Sequence, residues 1–240
     1  FIKLRKNISD NYFIKAHKYN LIINSDTNSD ITKKYFSKRL EKNYDSKAYT
    51  TIINHKKIIN NFAVQIFTRF GPLAFLPFSN TKTSIVFSLF NQKIKNQNQI
   101  EGLIRKYNFK YVINNMGDLE KYNLKFSILR NYYYKNILSF GDLLHKIHPL
   151  AGQGFNMTIR DIKILSNIID EKLDLGLELN NSILEEFENE TKHRNYIFAS
   201  AIDFIHEFFK LDSNIKNILS TSAFKIIGKN KMLNKYANYF

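Results

Sequence analysis

Between His148 and Asp161 the chain reads HPLAGQGFNMTIRD, and this stretch limits the possible folds more than any other. It holds one of three prolines and two of eight glycines in 240 residues. Proline fixes φ and glycine opens conformations closed to other residues, so their clustering marks a loop whose backbone path matters. Upstream, YKNILSFGD from Tyr134 to Asp142 reads as a buried strand ending on Gly141 and Asp142. Downstream, Phe155, Ile159, Ile162, Leu165, Ile168 and Ile169 fall at helical spacing. In an open α/β sheet the carboxyl end of a strand borders the usual ligand crevice. Gly152 and Gly154 let bare backbone approach whatever lies there, and the helix N-terminus favours an anion or an electron-rich carbonyl. That preference is worth about 0.3–1 kcal/mol when exposed and up to about 2 when partly buried. Asp142 can accept hydrogen bonds from sugar-like hydroxyls. The same residues also fit a plain strand–turn–helix whose carboxylate faces water.

The rest of the chain runs strands first and helices last. NYFIKAHKYNLIIN (11–24) reads as two short strands, and SDTNSD (25–30) as a turn that caps a helix over ITKKYFSKRL (31–40). Strands are expected at Ala48–Asn54 and Phe62–Thr68. Alternation through Leu73 and Phe75, then Ile85, Phe87 and Leu89, predicts a hairpin turning at Ser79–Lys82. NQKIKNQNQ (91–99) reads as a polar linker, Gln97–Tyr107 as a helix, and Lys110–Arg130 as one or two strands. From Ser182 to Phe209 the pattern is helical, with LEEFENETKHR (184–194) expected to be a solvated face. Tyr132, Tyr133 and Tyr134 suit an edge strand.

Composition narrows the function. There is no cysteine, which excludes disulfides, thiolate metal sites and cysteine nucleophiles. None of the six histidines makes a metal-ligand pair on one helix; His145 and His148 are read as stabilising a loop, and no metal is expected. The net charge of +15 comes from lysines spread among asparagine and isoleucine, with few and scattered arginines. Arginine is the residue favoured for bidentate phosphate and base contacts, so the pattern argues against nucleic acid. Diffuse positive charge is enough for attraction to an anionic membrane surface.

The complete spacing of GD, HP, GQG, N and RD from Gly141 to Asp161 resembles the second FAD motif of group A flavoprotein monooxygenases. It is most similar to that of the aromatic hydroxylases of ubiquinone biosynthesis. RFGPLAFLPFSNTKTSIVFSL (69–89) resembles the substrate-domain hairpin of that family, and KHRNYIFASAIDFIHEFF (192–209) its C-terminal helix, with Asp203 at the acidic position. The resemblance implies an α+β fold: an α/β FAD-binding part, an antiparallel substrate sheet and C-terminal helices. It divides the chain into a remnant of the FAD-binding domain (1–36), the substrate domain (37–130), the FAD-binding strand–loop–helix (131–175) and a helical region (176–240).

It further implies FAD as cofactor and NAD(P)H as co-substrate, with a polyprenylated phenol hydroxylated by O2 through a flavin C4a-hydroperoxide. Gly141 and Asp142 would bind the ribityl chain. Pro149, Gly152, Gln153, Gly154 and Phe155 would face the isoalloxazine ring, and Asn156 would anchor the loop. Asp26 is what remains of an upstream D-G-x-x-S-x-x-R motif, with Lys33 in place of the arginine. Arg69, Phe70, Gly71, Pro72 and Leu73 would border the substrate. The family's setting is cytoplasmic, with peripheral contact at the inner membrane and a ubiquinone-biosynthesis complex as partner. No G-x-G-x-x-G is present, and the chain opens on Phe1. The expectation is therefore a chain without the N-terminal Rossmann unit and inactive alone, either truncated or a degenerate, non-catalytic homologue. The third reading is a basic module binding nucleic acid or a membrane surface.

Overall fold

The computed structural model describes residues 19–90, 96–148 and 153–214. It is an α+β structure of two compact units. The first draws on the chain up to Lys42, Lys125–His148 and the helical residues to Asp203; the second is chiefly Asn43–Leu124. The predicted strand of residues 11–18 and the end of the chain lie outside the described residues, as do 91–95 of the expected linker.

In the first unit, β1 (Ile22–Asn24) pairs in parallel with β9 (Ile137–Ser139), and β8 (Tyr133–Tyr134) adds antiparallel to β9 at the edge. The single strand expected over 134–142 is instead this small hairpin. Its two-residue turn places Lys135 at φ 52, a left-handed conformation that a lysine does not advertise in sequence. Helix α1 (Asp30–Tyr35) starts on Ser29, whose side chain accepts from the Thr32 N–H at 3.2 Å. The predicted helix to Leu40 stops five residues earlier than expected, because Phe36 drops into the core and the chain turns to strand at Arg39.

The long helix α3 (Gln153–Asp174) and helix α4 (Asn181–Asn214) as far as Asp203 complete this unit. The buried line of α3 is Met157, Asp161, Leu165 and Ile168, whereas Phe155, Ile159 and Ile162 are exposed. The apolar stripe predicted from sequence is thus only half right. Residues 159 and 161 differ by about 200° around a helix, so burying Asp161 turns Ile159 outward. The segment read as a solvated face also carries a buried line, Leu184, Phe187 and Thr191, of which Leu184 and Phe187 belong to one core with Tyr132, Leu138, Phe140 and Leu165.

In the second unit, β2 (Arg39–His55), β3 (Val64–Thr68), β4 (Gly71–Ser79) and β5 (Lys82–Phe90) form an antiparallel sheet in the order β2-β5-β4-β3. Strand β6 (Ile113–Met116) pairs with the end of β2; at the end of β7 (Glu120–Leu129), Ser127 and Ile128 pair antiparallel with the short β10 (His145–Lys146), and these four residues belong to the first unit. The hairpin alternation holds: Leu73, Phe75, Ile85 and Phe87 are wholly buried, and α2 (Gln97–Tyr107) lays Ile100 and Ile104 over them. Each such side chain contributes about 1.5–3 kcal/mol by leaving water.

The β3–β4 turn explains one glycine. Gly71 sits at φ +131, and a Cβ there would stand 1.9 Å from the Ser88 carbonyl oxygen. Backbone cannot yield as a flexible side chain can. Gly71→Ala is therefore expected to cost about 3 kcal/mol or more. A urea unfolding midpoint equal to that of the parent would contradict this.

Candidate functional site

The first unit brings two loops to one edge of its sheet. Asn24 aligns with Ser139 at the carboxyl ends of parallel strands β1 and β9, and the Phe140 N–H donates to the Asn24 carbonyl at 2.9 Å. The chain leaves β1 toward Asp26 and β9 toward Asp142 at the same edge. Gly141 makes the turn possible at φ +64. A Cβ there would meet nothing within 4 Å, so conformation rather than crowding calls for glycine. A single 3-10 turn follows, and buried Leu143 and Leu144 pin it while Asp142 stays exposed. Among the described residues, no group donates to the Asp142 carboxylate. An exposed acceptor at parallel strand ends suits a chain of hydroxyl donors.

The Asp26 loop is tied from within. Buried Asn24 donates to the Thr32 hydroxyl at 2.8 Å, and that hydroxyl donates to the Asp26 carbonyl at 2.6 Å. The Asp26 carboxylate accepts the Asn28 N–H at 2.8 Å. The loop is thereby held in one shape by Asn24 and Thr32, neither of which stood out in sequence. Asp142 and Asp26 are the two predicted residues that the fold brings to a common edge.

Beyond Asp142, β10 carries His145, whose Nε2 lies 2.7 Å from Oδ2 of Asp161 on α3. Both side chains are essentially excluded from water, at 0% and 1% exposed. A carboxylate has no proton to give, so Nε2–H donates. Asn195 of α4 donates to both Asp161 oxygens, at 3.4 and 3.3 Å, and accepts from Arg160 at 2.5 Å. Burial pushes the nearby Tyr132 phenol above its ordinary range, and Asp161 and Glu188 push the same way. His145 and Asp161 therefore join the two chain segments that flank residues 147–153. Sequence reasoning read His145 only as a loop residue. The missed signal was a carboxylate at the i+4 position from Met157 and the i−4 position from Leu165, in the middle of the buried line of a helix.

Gln153, Gly154, Phe155 and Asn156 form the first turn of α3. Gly154 packs on Ile147, where a Cβ would make an ordinary 3.7 Å contact. Phe155 is exposed, and the Asn156 amide lies 3.5 Å from the Gln153 side chain. Pro149 and Gly152 lie outside the described residues. In the second unit, Arg69 stacks on the Phe70 ring at 4.7 Å at the β3–β4 turn. The Thr68 hydroxyl donates to the Gly71 carbonyl at 2.8 Å. Pro72 and Leu73 are buried, Leu73 within the core beside Phe87. Asp203 forms an ion pair with Lys42 at 3.1 Å.

No family profile matches the chain. Curated relatives do. The ubiquinone biosynthesis monooxygenase COQ6 of Danio rerio is 24% identical over 221 residues, covering 75% of this chain and 46% of its own length. The ubiquinone hydroxylase UbiL of Rhodospirillum rubrum is 24% identical over 183 residues, covering 70% and 41%. The chain thus spans about half the length of the curated relatives it matches. Among solved structures, p-nitrophenol 4-monooxygenase PnpA from Pseudomonas putida superposes with a TM-score of 0.69 at 12% identity, over 90% of this chain and 57% of its own. Other structural neighbours are named as flavin-dependent enzymes. The chain is similar in sequence to the ubiquinone-biosynthesis monooxygenase COQ6 and the ubiquinone hydroxylase UbiL, and it shares its fold with p-nitrophenol 4-monooxygenase PnpA.

Proposed function

We propose that this chain is about half of an FAD-dependent monooxygenase that hydroxylates the ring of a polyprenylated phenol in ubiquinone biosynthesis, with NAD(P)H as reductant and O2 as oxidant. The observation that carries this is the pair of parallel strand ends that present Asp142, without a described partner, beside the braced Asp26 loop. When bound, the flavin supplies the chemistry of the reaction, activation of dioxygen and transfer of one oxygen atom to an electron-rich ring. The protein's part is to hold and orient.

In this reading Asp142 accepts from the ribityl hydroxyls, and Gly141 sets the turn that presents it. The α3 N-terminus, with Pro149 and Gly152–Asn156, stabilises negative charge at the ring. Arg69 and Phe70 border the substrate on a turn shaped by Gly71, Pro72 and Leu73. Residues 1–36 and 131–175 then belong to the flavin-binding part, 37–130 to the substrate domain and 176–240 to the C-terminal helical region. No acid–base pair is needed from the protein, since the cofactor carries the reactive atoms. A water-insoluble prenylated substrate calls for peripheral contact with a membrane, here the cytoplasmic face of the inner membrane, and for neighbours in the same biosynthesis.

The visible spectrum of the purified natural product tests the reading. Flavin absorbance close to one equivalent per chain is expected. A folded, colourless protein to which added FAD does not bind would establish the non-catalytic homologue instead.

A further inference from the structure

Three segments of the second unit, 55–63, 78–83 and 105–112, meet at one end of its sheet. Backbone N–H groups of His55 and Ile58 donate to the hairpin carbonyls of Thr81 and Asn80 at 2.9 and 3.0 Å, and Lys56 donates to the Val112 carbonyl at 3.0 Å. Beneath them lies a buried polar tie. The Asn60 amide donates to the Ser79 carbonyl at 2.8 Å and to the Thr83 hydroxyl at 3.0 Å, and it accepts from Tyr111 at 2.9 Å. The His55 ring closes the tie, 2.9 Å from the Thr83 hydroxyl. These bonds fix the three segments as one rigid tip.

The outside of that tip is apolar and cationic. Ile59 is 81% exposed, Phe78 71%, Phe62 57%, Val112 55% and Phe109 47%. Around them stand Lys56, Lys57, Lys82, Arg105, Lys106 and Lys110, and the three segments contain no aspartate or glutamate. Lys110 lies 4.5 Å from the Phe62 ring centroid, so cation and apolar surface are interleaved. Scattered exposed apolar residues need no explanation, but five large ones gathered on three hydrogen-bonded segments do.

We propose that this tip docks on an anionic lipid bilayer, with Ile59, Phe62 and Phe78 entering the interfacial layer and the lysines meeting lipid phosphates. Charge complementarity selects the partner: six cations without an anion fit a uniformly negative surface. The aliphatic side chains separate it from a polyanion in solution, which would engage the cations and leave Ile59 and Val112 in water. Aromatic and aliphatic groups at the head of a basic surface are the pattern of interfacial binding, which reaches about 5–10 Å into the headgroup boundary. The tip and the Arg69–Gly71 turn stand at opposite ends of β4, about 27 Å apart at strand rise, so docking leaves that turn clear. This deepens the membrane contact in the reading above by naming its surface. It stands on the patch alone, and its test reads vesicle binding rather than flavin, so the two can fail separately.

The full chain is sedimented with phosphatidylcholine vesicles, and with vesicles in which roughly a third of the lipid is phosphatidylglycerol, at low and physiological salt. Binding is expected to the anionic vesicles only. The double change Lys56→Glu with Lys57→Glu should weaken it about tenfold or more. Phe62→Ser with Phe78→Ser should weaken it about tenfold as well. Lys163→Glu, an exposed reversal on α3, should leave it unchanged. The chain has no tryptophan, so Phe78→Trp gives a single reporter whose emission should move to the blue on vesicles and be quenched by brominated acyl chains. Circular dichroism confirms that each variant is folded. The proposal is overturned by absence of binding at low salt, or by binding that the tip variants leave intact. It is also overturned if the lysine reversals act while the Phe78→Trp emission does not move, which would assign the cations to a soluble polyanion.

Discussion

Asp142→Ala is expected to yield a folded but colourless protein when introduced into the complete natural product. The carboxylate stands exposed at the carboxyl ends of two parallel strands, and no described residue bonds it. Its removal therefore takes nothing from the packing, and helix content by circular dichroism should match the parent. Hydrogen bonds to a charged acceptor contribute about 1.5–3 kcal/mol each. Loss of two from a polyol chain would weaken flavin affinity roughly a hundredfold to ten-thousandfold, by the factor of ten per 1.4 kcal/mol. Asp142→Asn keeps the shape and an acceptor oxygen, so it should retain part of the affinity. Flavin occupancy in Asp142→Ala equal to that of the parent would remove this residue from the site.

His145→Ala should be the most damaging of the substitutions to the first unit. It leaves the Asp161 carboxylate in a water-free interior with, among the described residues, only Asn195 as donor. Breaking a buried pair by removing one partner costs about 3–5 kcal/mol. For a chain of this size that corresponds to a fall in melting temperature of roughly 10 °C. Replacing both partners, His145→Leu with Asp161→Leu, should recover part of the loss, because no unpaired charge stays buried even though the Asn195 amide loses its acceptor. A double variant less stable than His145→Ala would show that the pair contributes more than mutual compensation.

The hairpin β4–β5 and helix α2 were legible in sequence almost to the residue. Each is governed by a local rule that its neighbours reinforce: period-2 burial through Leu73, Phe75, Ile85 and Phe87, and Ile100 and Ile104 one turn apart. The segment to Asp142 reads in sequence as strand throughout, whereas the strand stops at Ser139 and Gly141 turns the chain at a positive φ. What could not be read depended on partners distant in sequence. Asp161 belongs to the buried line of α3 only because His145 meets it, and until that partner is known the exposed stripe of Phe155, Ile159 and Ile162 looks like the better core face. The turn at Lys135 has no glycine to announce it, and α1 ends where Phe36 finds a core assembled from residues far along the chain. On the candidate site, the resemblance named residues around Asp142, whereas the brace behind them, His145 to Asp161 to Asn195, emerged only from coordinates.

The parallel pairing of β1 with β9 has a kinetic consequence. Ile22 meets Ile137, and the larger part of the second unit, Asn43–Leu124, is synthesised between them. Strands β3, β4 and β5 of that unit form a meander closed through short turns, whereas the β1–β9 pair must first gather a very large loop, whose closure entropy opposes it. Newly made chain should therefore order its meander early and keep β1, with Ile23 half in water, waiting until the ribosome has delivered residue 139. The edge that presents Asp142 would be among the last parts of the fold to exist. In a crowded cell, that interval is when a chaperone would have most to protect.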